Sequence, residues 1–171
     1  MLYLGFYDTI QLNTIGYEVK MMIDELKLEN QLCFAVYAFS REINKIYRPY
    51  LEPLGLTYTQ YLVMIVLWEG DGISLKELGA KLKLDSGTLT PLLKKLENDG
   101  NINRTRDKRD ERNLIIYLSD QGRELMNKAE KVPNNIACSL PLEMNEIIGL
   151  RDQLKGILEQ LDRQAKDNIT K

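Results

Sequence analysis

The stretch from Ser74 to Tyr117 reads SLKELGAKLKLDSGTLTPLLKKLENDGNINRTRDKRDERNLIIY. Ser74 with Glu77 three residues on has the form of a capping box and opens a short helix to about Leu82. Leu84 to Thr88 breaks the helical period and starts a second helix, which ends near Asn98 with Gly100 as its stop. Pro91 fits if the regular part of that helix starts late, with Thr88 as cap; otherwise it implies a kink. After Gly100 the period falls to two. Ile102 and Arg104 precede a charged tip, Asp107-Lys108-Arg109-Asp110-Glu111, and Leu114-Ile115-Ile116-Tyr117 returns as a strand.

Two short helices followed by a hairpin form the winged version of the helix-turn-helix. In that arrangement the second helix enters a major groove, the first braces it, and the hairpin reaches the neighbouring backbone or minor groove. Ser86, Gly87 and Thr88 start the second helix, where small side chains approach bases closely and free backbone amides take a phosphate. Lys94 and Lys95 lie further along and suit backbone contacts. Arg106, Lys108, Arg109 and Arg112 populate the wing, and a narrow minor groove attracts an inserted Arg. Asp110, two residues before Arg112, is placed to pair with it and fix its orientation. The plainer alternative is a solvated charged hairpin.

Outward from this module the chain reads as helical. Upstream, Leu28, Leu32, Val36, Phe39, Ile43, Ile46 and Tyr50 recur at steps of three or four, giving a helix from Leu28 that Pro53 and Gly55 end. Thr57 with Gln60 opens a helix through Trp68, and Gly70 to Gly72 is a turn. Downstream, Ser119 opens a helix interrupted near Pro133 and Pro141. A last helix carries Ile147, Leu150, Leu154, Ile157, Leu158 and Leu161 as a near-heptad stripe. Residues 27–171 are expected to form one mainly α domain with a small β-hairpin wing. Within it, residues 57–122 are the DNA-binding part, and 27–56 with 123–165 are a helical dimerisation region. Residues 1–26 are an N-terminal extension. Its first twenty residues are either upstream or disordered sequence, or an ordinary helix.

Composition narrows the chemistry. The 171 residues contain no histidine, which removes a Ser-His-Asp triad, a His base and most zinc or haem sites. Neither a metal nor any other cofactor is expected, nor is an enzyme. Only two cysteines are present, Cys33 and Cys138, 105 residues apart, so they form no C-x-x-C motif. The net charge of −2 hides an asymmetry: residues 74–112 carry ten Lys/Arg against seven acids, a basic module on an acidic body. No apolar run has the length of a membrane span, and no signal-peptide pattern is seen, so a cytoplasmic protein without a membrane partner is expected.

The string Leu84-Asp85-Ser86-Gly87-Thr88-Leu89-Thr90-Pro91-Leu92-Leu93-Lys94-Lys95-Leu96-Glu97, followed by Asp110-Glu111-Arg112, resembles the MarR family of winged helix-turn-helix regulators. With Asn30-Gln31-Leu32-Cys33-Phe34-Ala35-Val36-Tyr37, it resembles most the organic-hydroperoxide-sensing (OhrR-type) branch. The resemblance covers roughly residues 27–165. It implies an obligate homodimer on an inverted-repeat operator in double-stranded DNA, with Ser86 to Thr88 facing the major groove and Asp110 and Arg112 working in the wing. It further implies that Cys33 is the reactive thiol and an organic hydroperoxide the effector. Tyr37, Tyr47 and Tyr58 stand where the family's tyrosines hydrogen-bond that thiol. In some members a second cysteine bridges to the reactive cysteine of the other subunit, and the position of Cys138 is compatible with this.

Helix geometry constrains such a site. At about 100° per residue, Tyr37 and Tyr47 each lie about 40° from Cys33 around the helix, but Tyr47 is about 21 Å along it. A Tyr47 that touches Cys33 therefore belongs to a partner subunit whose first helix runs antiparallel. Without the resemblance, a lone cysteine on a helix reads as a small buried hydrophobe. A repressor released by a small phenolic ligand is the nearest alternative function. A thiol peroxidase lacks its expected alternation of strands and helices, and the basic wing argues against a pure dimerisation module.

Overall fold

The computed structural model describes residues 24–107, 110 and 113–169. Lys108, Arg109 and Arg112, and all but the last three residues of the expected N-terminal extension, lie outside the described residues. The chain divides into two compact units, one up to Lys45 and one from Ile46 onward.

The first helix starts later than its apolar spacing suggests. Leu28–Asn30 is a single 3-10 turn, and Gln31 is extended (φ −88°, ψ 111°), so helix α1 runs Leu32–Leu51. The turn is tied locally, with the Asn30 amide donating to the Asp24 carbonyl at 2.7 Å and Lys27 paired to Asp24 at 2.6 Å. Cys33 is thereby the second helical residue rather than one turn in.

In the second unit, α2 (Tyr58–Glu69) opens with the expected capping box at Thr57 and Gln60. Next come β1 (Ile73–Ser74), α3 (Leu75–Leu82), α4 (Ser86–Asn98), β2 (Ile102–Arg106) and β3 (Leu114–Leu118). The order is that of a winged helix-turn-helix, and the three strands form an antiparallel sheet in the order β1-β3-β2. Ile102 faces Leu118 and Arg106 faces Leu114 across the hairpin, while Ile73 pairs with Ile116. The short β1 was not legible from its sequence, because two residues carry no alternation.

The start of α4 is a correction. Asp85, not Thr88, is the N-cap: its carboxylate accepts from the Thr88 amide at 2.9 Å and from the Thr88 hydroxyl at 2.8 Å. A carboxylate at Ncap satisfies amides of the first turn and suits the positive end of the helix. Pro91 lies inside the helix. It supplies no amide to the Gly87 carbonyl, a loss confined to one exposed turn.

Leu89, Leu93 and Leu96 share one face of α4, each fully buried. They meet Leu78 of α3, Met64 and Leu67 of α2, and Ile102 and Ile116 of the sheet in one core. Burying one such side chain contributes about 1.5–3 kcal/mol, so this core fixes the attitude of α4. After the wing come α5 (Asp120–Ala129), α6 (Val132–Ser139) and α7 (Met144–Ile169), separated near Pro133 and Pro141 as expected. The α7 stripe is left uncovered: Leu154, Ile157, Leu158 and Leu161 are 36–54% exposed. Among the described residues no helix is long and apolar enough to cross a membrane.

Candidate nucleic-acid interface and thiol site

Helix α4 presents Ser86, Gly87, Thr88, Lys94 and Lys95 to solvent. Asp85 changes what this surface can do. It holds the Thr88 amide and hydroxyl, and hydrogen bonds from Thr88 keep its carboxyl below the usual carboxylate range. The Thr88 amide is therefore already taken, and a phosphate at this helix start would meet a negative charge. The accessible groups are the Ser86 hydroxyl, the bare Gly87 backbone and the Thr88 methyl, which suit base edges. Lys94 is exposed, and Lys95 forms a surface pair with Asp99 at 2.7 Å. Such a pair is worth little, so Lys95 remains competent for a phosphate.

The wing is locked to this helix. Glu97 of α4 accepts from the backbone amide of Arg104 at 3.2 Å and from its Nε at 2.9 Å, with Nη2 also donating. Arg104 keeps the Glu97 carboxyl below its ordinary range. This half-buried two-pronged pair joins α4 to β2, so helix and wing act as one piece. At the wing tip the Asn113 amide donates to the Asp110 carbonyl and the Asp107 amide to the Asn113 carbonyl, both at 2.9 Å. Asp110 thus shapes the turn with its main chain, and Arg106 is exposed beside it.

At the other end of the wing, the Asp71 carboxylate accepts from the Leu118 amide at 2.9 Å and from Arg123 at 2.8 Å. The Ser119 amide donates to the Asn101 carbonyl at 3.1 Å, and the Ser119 hydroxyl caps α5 by accepting from the Gly122 amide at 3.0 Å. Both wing strands are therefore gathered where α5 begins.

Of the thiol-site residues, Cys33 and Tyr37 belong to the first unit, and both are exposed. The Tyr37 hydroxyl accepts from Arg41 at 2.9 Å, which also sets the guanidinium 5.6 Å from the ring centre. Tyr47 and Tyr58 belong to the second unit, where the structure brings them together with ring centres 4.7 Å apart. Tyr61 completes the cluster: it is buried, 5.8 Å from Tyr47, and its ring meets Trp68 edge-on at 6.2 Å. Sequence reasoning missed Tyr61 and Trp68, although their spacings of three and ten from Tyr58 put them on one helix face. Cys138 is exposed near the end of α6, beside Ser139, whose hydroxyl lies 3.0 Å from that of Tyr50.

Burial keeps the clustered phenols protonated. Tyr47 is pushed up to about 12, first by burial and then by Tyr58 and Tyr61; burial also raises Tyr58 and Tyr61. A phenol held in this form is a hydrogen-bond donor across the physiological range. Because the folded pKa of Tyr47 lies above the unfolded one, its contribution to stability is intact below pH 10. It should be lost as the pH rises towards 12. A spectrophotometric titration of the folded protein should show a late phenol near pH 12 that Tyr47→Phe removes. Superimposable titrations of the two proteins would refute this assignment.

Comparison with known proteins agrees with this architecture. Residues 45–129 match the family described as transcriptional regulator SarA/Rot. The chain is 43% identical over 141 residues to the organic hydroperoxide resistance transcriptional regulator of Bacillus subtilis, covering 82% of this chain and 96% of that one. Its fold superposes on reduced, DNA-bound AbfR of Staphylococcus epidermidis with a TM-score of 0.67 at 39% identity, over 83% and 99% of the two chains. A MarR transcriptional regulator of Methanosarcina mazei shares the fold, with a TM-score of 0.67 at 24% identity, over 75% and 94%.

Proposed function

Because the chain belongs to the SarA/Rot family of winged-helix transcriptional regulators, we propose that it is a dimeric repressor that releases its operator when an organic hydroperoxide oxidises Cys33. DNA binding by a family member needs no further argument. What supports the redox reading is that the chain carries both an exposed thiol at the start of α1 and, in the second unit, clustered phenols that burial keeps as donors. Similarity to a hydroperoxide resistance regulator over four-fifths of the chain supports the same effector.

The steps balance. The Cys33 sulfur attacks the peroxide oxygen, the O–O bond breaks, and the alcohol leaves with a proton, giving sulfenic acid. The Cys138 thiol of the other subunit then attacks that sulfur, and water leaves as the disulfide forms. Tyr47 and Tyr58 of one subunit donate to the Cys33 sulfur of the other across antiparallel first helices, and Tyr37 flanks it. The exposed α7 stripe, with Leu32, Val36 and Phe39 of α1, closes the dimer. On DNA, Ser86, Gly87 and Thr88 read the major groove. Lys94 and Lys95 contact phosphates, and Arg106, Lys108, Arg109 and Arg112 engage the minor groove and backbone from the wing, with Asp110 shaping the tip.

The deciding experiment is an operator titration with and without cumene hydroperoxide. Wild type should dissociate and Cys33→Ser should stay bound. Cys138→Ser should still be oxidised but give no covalent dimer on a non-reducing gel. Release of Cys33→Ser as readily as wild type would exclude the redox reading and favour a repressor released by a reversible ligand.

A further inference from the structure

The tyrosine cluster does not end at Tyr61. Tyr61 contacts Trp68 edge-on at 6.2 Å, and the Trp68 indole donates from Nε1 to the Gly122 carbonyl at 2.9 Å. Gly122 lies in the first turn of α5, whose backbone rests directly on the start of the wing. A β-carbon built at Gly122 would stand 2.0 Å from the Asn101 carbonyl oxygen and 3.1 Å from the carbonyl carbon. The same Asn101 carbonyl accepts from the Ser119 amide, so one short segment joins the entry to β2, the exit from β3 and α5. The Glu97–Arg104 pair then carries the position of β2 to α4.

The geometry points to Trp68 as a positioning residue that ties the tyrosine cluster to the base of the wing, so that a rearrangement of Tyr47 on thiol oxidation displaces wing and reading helix together. Any buried indole N–H needs an acceptor; what matters here is which one it takes, a carbonyl of the turn that rests on Asn101 at the base of the wing. Here Tyr61 fills the space on one side, while the indole N–H fixes one chosen carbonyl on the other. Every residue in this chain of contacts belongs to the second unit: the side chains of Tyr47, Tyr61 and Trp68 lead to the Gly122–Asn101 backbone contact, and Arg104 and Glu97 carry it on to α4. The inference rests on the oxidation-released reading above.

Trp68→Phe tests it, because it keeps an aromatic ring against Tyr61 and removes only the donor to Gly122. The rate at which cumene hydroperoxide converts Cys33 to sulfenic acid, trapped with dimedone and followed by mass spectrometry, should match wild type. The ratio of operator dissociation constants between oxidised and reduced protein should fall by about tenfold, within the ordinary range for coupled sites. A purely structural role would weaken both states alike and leave the ratio unchanged, and that result overturns the inference. Trp68 is the only tryptophan in the chain, so its emission provides a second readout in the unmodified protein. Hydroperoxide should change the emission at the rate of operator release in wild type and not in Cys33→Ser. Constant emission during release overturns the inference even if Trp68→Phe fails to fold. Failure of wild type to release DNA under hydroperoxide would overturn the redox reading as well. Release with an unchanged ratio in Trp68→Phe would overturn this inference alone.

Discussion

Gly122→Ala is expected to cost about 3 kcal/mol or more, and so to lower the thermal midpoint by roughly 10 °C. The sign is what makes the experiment informative. In an exposed helix the same change stabilises by up to about 1 kcal/mol, because alanine loses less chain entropy than glycine. At Gly122 the added methyl meets the Asn101 carbonyl oxygen at 2.0 Å and Leu118 at 3.3 Å. Two of the contacts nearest the new methyl are main-chain atoms of Asn101, which no rotamer change relieves. Either α5 lifts from the wing or the strand entry shifts, and Asn101, 4% exposed, sits where neither is cheap. Gly149 on α7 has nothing within 4 Å of the same construction and serves as the opposite case. Calorimetry of the two variants should show Gly122→Ala well below wild type and Gly149→Ala at or above it. A midpoint for Gly122→Ala within about 2 °C of wild type would mean that α5 does not bear on the wing.

The second large effect concerns the operator. Leu154→Glu combined with Leu158→Glu places two carboxylates on the uncovered α7 stripe, where Leu154 is 36% and Leu158 50% exposed. In an isolated chain such surface changes are nearly neutral. In a dimer they desolvate charge at an apolar contact, and the assembly should separate. A separated subunit binds one half-site, so it loses the effective concentration that linkage gives the second. The affinity for a full operator should then fall by about 10²- to 10⁴-fold, while the melting behaviour of the winged module barely changes. Light scattering and operator titration on the same samples test both halves. A variant that remains dimeric would show that α7 is not the dimer contact.

How far the sequence could be read depends on the kind of signal each element leaves. Side-chain capping at Thr57 and Ser74 is local and chemical, so those helix starts were legible to the residue. The start of α4 was not: Asp85, Ser86 and Thr88 are all good caps, so local chemistry does not choose among them, and Asp85 is the one that caps. The start of α1 failed for a related reason, since Leu28 keeps the apolar spacing yet is 60% exposed and belongs to a separate turn. Of the residues the family pattern singled out, the structure brings Tyr47 and Tyr58 together. Tyr61 and Trp68 carry no comparable signal, because aromatic residues at helical spacing are most often core and nothing more. The bond from Trp68 to Gly122 spans 54 positions, and nothing local announces it.

Asp85 bears on how such a protein would search a chromosome. A fixed negative charge at the tip of the reading helix repels phosphate equally on every sequence, so it weakens random encounters without favouring any base. Nonspecific affinity comes almost wholly from neutralised phosphates, and each one withheld flattens the salt dependence. With millions of competing sites, what matters is the ratio of operator to random binding. A small repressor with an acidic body and a carboxylate at its tip would leave random DNA quickly, so few copies are held away from the operator they must cover.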